Sequence, residues 1–109
     1  MIVVTTNQVP GAKVTRTLGA VFGIVVRSRG IGGNIAAGFR SLGGGEIHEY
    51  TRLVEEARMQ AMERLMANAH AMGANAVLAT RFDSGEIGQT MNEVVAYGTA
   101  VVIEPDGTL

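Results

Sequence analysis

The chain has 109 residues, of which 47% are hydrophobic and 17% charged, with a formal net charge of −1. That length suits one domain, taken here as 1–109, and the near balance of nine basic and ten acidic residues gives no field to hold nucleic acid or an anionic membrane. With no Cys, disulfides, thiolate nucleophiles and thiolate metal sites are excluded.

Ile2 to Thr6 is short and β-branched and predicts a first strand. Pro10-Gly11 marks a turn. Val14 to Arg29 predicts one long strand, or two joined at a bend, with Gly19 and Gly23 as the bulge or kink points. Gly30 to Gly45 holds seven glycines, and within it Ile31, Ile35, Phe39 and Leu42 recur at helical spacing. A short amphipathic helix over 34–41 follows from that spacing.

Tyr50 to Met72 is the clearest element. Leu53, Ala57, Ala61, Leu65, Ala69 and Met72 form one apolar stripe at intervals of four and three. Glu49, Glu55 and Glu56 favour the positive end of the helix dipole, and Gly73 supplies the stop. Asn75 to Asp83 predicts a strand, Ser84 to Thr90 a loop, and Asn92 to Ile103 a last strand closed by Pro105. The expected fold is α+β, an antiparallel sheet packed on one long helix.

Two strands lack the apolar–polar alternation of a half-exposed sheet. In the first, Ala20, Phe22, Ile24 and Val26 fall on one face, and Val21 and Val25 on the other. In the last, Val95, Tyr97, Val101 and Ile103 oppose Val94, Ala96, Ala100 and Val102. Strands apolar on both faces are covered on both sides. One long helix covers one face, and the short helix is too small for the other. A charged fraction of 17%, below the usual value of about 25%, also suits a surface that meets protein. A second copy of the chain is the economical cover, and closure into a ring or barrel would protect the strand edges.

Few motifs carry chemistry. Gly30-Ile31-Gly32-Gly33-Asn34-Ile35 resembles a dinucleotide turn, but Ile35 occupies the position that needs a small residue. Lys13 is the only lysine, so a phosphate loop ending in Gly-Lys is excluded. His48-Glu49 begins a zinc-protease pattern that fails at Arg52. His48 and His70 on one helix would stand about 33 Å apart at 1.5 Å per residue, so no single chain brings both to one ion. Glu46 and His48 could still serve as ligands across a subunit interface. Asp83, Glu86 and Glu93 lie near one loop, where solvation is the simpler account of them. Ser28, Ser41 and Ser84 lack a nucleophile-elbow context. Met59, Met62, Met66 and Met72 sit on the long helix at the spacing of core or interface filler. No catalytic residue, resident metal site or cofactor is expected.

One candidate binding site remains. Arg27, Arg29 and Arg40 bracket Gly30, Gly32 and Gly33. Guanidinium groups beside backbone N–H donors can hold a phosphate or carboxylate. The N-terminus lacks the charged and long apolar regions of a signal peptide. The longest apolar run, Leu18 to Val26, is interrupted by two glycines and falls short of the roughly 20 residues of a membrane span. The expected compartment is the cytoplasm.

The sequence resembles the YbjQ-like family of small bacterial proteins, described as heavy-metal-binding. The resemblance runs from Thr5 to Glu104. It rests on Thr5-Thr6, on 23–33 (Gly23-Ile24-Val25-Val26-Arg27-Ser28-Arg29-Gly30-Ile31-Gly32-Gly33) and on Gly44-Gly45-Glu46. It rests further on Gly73-Ala74-Asn75-Ala76-Val77, Phe82-Asp83 and Ala96-Tyr97-Gly98-Thr99-Ala100-Val101. The resemblance implies a dodecin-like subunit, a sheet cradling one long helix, and homopentamers. It brings no catalytic residues. Two functions stay open: a non-enzymatic homo-oligomeric module for a small molecule, an anion or a protein, or a heavy-metal-binding protein with ligands shared between subunits.

Overall fold

A computed structural model describes residues 1–28 and 48–107. The elements are β1 (Ile2–Val3), β2 (Ala12–Ser28), α1 (His48–Ala71), β3 (Ala76–Ile87) and β4 (Met91–Pro105). The strands form one sheet in the order β1-β3-β4-β2. The short helix expected over 34–41 lies outside the described residues.

Helix α1 packs its small residues on the sheet. Ala57, Ala61, Leu65 and Ala69 are buried, as their spacing requires. With Val21, Val25, Val77, Ala96 and Ala100 they make the main core. Met72, expected in the stripe, is exposed, and Ala74 is buried in its place. The helix stops at Gly73, whose φ of 92° only glycine adopts readily. The Gly73 N–H donates to the His70 carbonyl and the Ala74 N–H to the Ala69 carbonyl. That bond pair is a Schellman cap, and it folds Ala74 back onto the core.

The sheet is mixed where an antiparallel one was expected. β2 and β3 run antiparallel to β4, but β1 runs parallel to β3, with Ile2 opposite Ala76 and Val3 opposite Val77. The reason is the strand order. β1 and β2 lie at opposite edges, so no hairpin joins them and nothing forces them antiparallel. Residues 4–6 continue along the β3 edge, where the Val4 N–H donates to the Val77 carbonyl and the Ala79 N–H to the Thr6 carbonyl, before the chain passes over the sheet face away from the helix. There Val4 and Val9 pack with Ala76, Leu78, Val101 and Ile103 in a second small core. The crossing ends in a tight turn: the Ala12 N–H donates to the Val9 carbonyl, with Pro10 and Gly11 between them and Gly11 at φ 81°.

β2 is one continuous strand with two register shifts, between Val14 and Arg16 and between Thr17 and Gly19. Gly19, at φ 121°, closes the second. Gly23 is no kink, because it pairs in register with Ala96. Its task is close approach: a Cβ there would stand 2.9 Å from Leu65 Cα and closer still to the Ala61 carbonyl oxygen and the Leu65 amide nitrogen.

The loop expected at Ser84–Thr90 is mostly strand. β3 continues to Ile87, paired with Met91, and only Gly88, Gln89 and Thr90 form the turn. Arg81 to Thr90 is exposed throughout, so apolar alternation does not mark it in the sequence.

Candidate functional site

The two faces of the sheet differ along β2. Val21 and Val25 are buried against α1, at 2% and 3% exposure. Phe22, Ile24 and Val26 point the other way and are 51%, 45% and 48% exposed. Tyr97, opposite Phe22 on β4, is on the same face, and the two rings stand 6.5 Å apart. At the other end of this face Val4 and Val9 provide cover. Nothing among the described residues covers Phe22, Ile24 and Val26 in the same way.

The edge of β2, unpaired among the described residues, is dressed by the helix. Arg64 Nη1 donates to the Ile24 carbonyl at 2.6 Å, and Asn68 Nδ2 donates to the Phe22 carbonyl at 2.7 Å. Phe22, Ile24, Arg64, Ala67 and Asn68 line an open groove of about 360 Å³ between strand and helix. One helical turn earlier, Gln60 Oε1 accepts a hydrogen bond from Arg27 Nη2 at 2.9 Å.

Of the candidate anion-binding residues, Arg27 is placed near the end of β2, half-buried. One of its donors goes to a neutral amide, a bond that brings no counter-charge. Arg29, Gly30, Gly32, Gly33 and Arg40 lie outside the described residues, as do Ser41 and Glu46.

The candidate metal and acid–base groups do not assemble. His48 and His70 lie at opposite ends of α1. No three His, Cys, Asp or Glu side chains converge on a cation position among the described residues, so a heavy metal has no binding set within those parts of one chain. Asp83, Glu86 and Glu93 sit on paired strands. Gly85 is opposite Glu93 and Glu86 is opposite Asn92, so strand alternation puts Asp83 and Glu93 on one face and Glu86 on the other. Asp83 instead accepts the Ser84 N–H at 2.9 Å. Among the methionines, Met62 packs against the core while Met59 is 63% exposed.

The bulge on β3 escaped the sequence reading. Leu78 is opposite Thr99 and Arg81 opposite Tyr97, so β3 carries one extra residue. Ala79 takes φ 52° there, and the buried Thr80 hydroxyl has no hydrogen-bond partner among the described residues. Gly98 accommodates the bulge, since a Cβ on it would meet Val77 Cγ1 at 2.7 Å and the Leu78 carbonyl at 2.8 Å. Gly98 was the only signal, and a glycine within a strand pattern marks either a bulge or a close approach. No helix among the described residues is long and apolar enough to cross a membrane.

Comparison with known proteins agrees with the resemblance. A family model for the YbjQ group, described as "Putative heavy-metal-binding", matches residues 1–104. A UPF0145 protein of Bradyrhizobium sp. is 66% identical, over 96% of this chain and 95% of its own length. A UPF0145 protein of Thermoplasma volcanium is 61% identical, over 95% and 85%. Relatives of this kind extend to archaea, which corrects the expectation of a purely bacterial family. A crystal structure of a DUF74-family protein of unknown function from Pediococcus pentosaceus superposes with a TM-score of 0.62. It covers 95% of this chain and 98% of that one at 13% identity, and shows a shared fold alone.

Proposed function

The chain belongs to the YbjQ family of UPF0145 proteins, and from that premise we propose that it is a non-enzymatic module that works as a closed homo-oligomer, most simply a pentamer. One observation carries this reading. Phe22, Ile24 and Val26 are each about half exposed on a face whose other end is packed. Burying what remains exposed of each is worth about 1 kcal/mol, and in a ring each copy covers this face with a different surface of its neighbour. Native mass spectrometry tests it: one multiple of the 11.4 kDa chain is expected, and monomer at micromolar concentration refutes it.

Within that assembly the ligand we propose is a small anion held at the end of β2 by Arg27, Arg29 and Arg40 with Gly30, Gly32 and Gly33. The Arg27–Gln60 bond, from a guanidinium to a neutral amide, supports it. A thermal-shift screen of inorganic phosphate and small phosphate esters tests it. Hits that persist undiminished in both Arg27→Ala and Arg29→Ala move the site elsewhere. The second reading, a heavy-metal site shared between subunits, rests on the family description. Its ligands would have to be joined across an interface, since no set forms among the described residues. The cytoplasm is the compartment we propose for it.

A further inference from the structure

We propose that Arg64 and Asn68 form an edge guard on β2, which forbids strand addition there and directs copies of the chain to meet through the open sheet face. This deepens the oligomeric reading and rests on it. Among the described residues β2 is the edge of the sheet, with β4 on one side only. Phe22 and Ile24 are opposite Tyr97 and Val95, yet their carbonyls are taken by helix side chains. In an extended strand the N–H and C=O of one residue point to the same side, so at Phe22 and Ile24 both groups face the free edge. An unpaired edge with such groups is a template for another chain's strand.

The spacing makes this a matched row. Arg64 and Asn68 are four apart on α1, a rise of about 6.0 Å. Ile24 and Phe22 are two apart on β2, about 6.6 Å. α1 runs antiparallel to β2, so the two ladders stay in step over both bonds, and Gln60 meets Arg27 one turn further on. Gly23 lets the helix backbone lie close enough for the short Asn68 side chain to reach. With both carbonyls already engaged by helix donors, an incoming strand must compete for these acceptors and meets the Arg64 and Asn68 side chains in its path. A charge at the edge is a familiar block to pairing. Here it is held in place by hydrogen bonds.

The test begins with the unaltered protein in its native assembly. Residue-resolved amide hydrogen exchange should show Phe22 and Ile24 exchanging at least a hundredfold faster than Val21, Gly23 and Val25, whose amides face β4. Equal protection of all five means that the edge is paired with another strand and overturns the guard. The second arm is Arg64→Ala/Asn68→Ala, followed by light scattering across concentration with circular dichroism as the check on folding. Growth beyond the native mass that continues with concentration supports the guard. A folded variant with the native mass at every concentration overturns it. If the variant does not fold, the exchange measurement on the native protein decides alone. A monomeric native protein would sink the oligomeric reading yet leave both arms readable, so the two failures are distinguishable.

Discussion

Gly23 lies directly beneath Leu65, so close that a Cβ on the glycine would stand 2.9 Å from the leucine Cα. Backbone, unlike a flexible side-chain end, has no rotamer to yield. Gly23→Ala must therefore lift α1 from β2. We expect a loss of about 2–3 kcal/mol, in the range of overpacked cores, seen as a lower urea midpoint with an unchanged m-value. The same shift should loosen the Arg64 and Asn68 bonds to β2, since their reach depends on this contact.

Gly73 sets the exit from α1 at φ 92° with open space around it. Gly73→Ala meets no neighbour and suffers only backbone strain, about 1 kcal/mol. Thermal unfolding should show a fall of several degrees with the assembly intact. Gly73→Ala and Gly23→Ala thus separate a conformational role for glycine from a steric one.

Much of the architecture was legible because period two survives along an unbulged strand. β4 pairs with β2 and β3 without an extra residue of its own, and its two apolar faces were assigned as the structure has them. Gly19 was legible as a bulge. Gly23 was not legible as a contact, because sequence shows the missing side chain but not what approaches it. The hairpin Ser84–Thr90 was hidden for a different reason: both faces of its arm are solvated, so no alternation marks it. β1 could not be placed, since a parallel edge strand depends on where residues 4–11 travel. Of the candidate sites, Asp83, Glu86 and Glu93 were near in sequence, but pairing alternation divides them between faces. Arg64 and Asn68 looked like an ordinary polar helix face, and only the β2 edge beneath them reveals their use.

Zinc and copper(II) should not bind tightly at a fixed ratio. The chain has no Cys, and its two histidines lie at opposite ends of α1. Calorimetric titration after chelator treatment should show no saturable site below micromolar. A sub-micromolar site at one ion per chain or per ring would mean that ligands converge across copies.

The most direct measurement sets Val25→Lys beside Val26→Lys. The two neighbours face opposite ways: Val25 is 3% exposed against α1 and Val26 is 48% exposed on the open face. An ammonium at position 25 is buried without a partner, at a cost of several kcal/mol against a total stability of about 5–15 kcal/mol. At position 26 it reaches water in a single subunit but is trapped in an assembly that covers the face. Circular dichroism with native mass spectrometry reads both outcomes. An oligomer assembled through the open face predicts that Val25→Lys unfolds, while Val26→Lys keeps its secondary structure and drops to the 11.4 kDa chain. A Val26→Lys protein with native stability and native mass would show that this face meets solvent, and would contradict assembly through it.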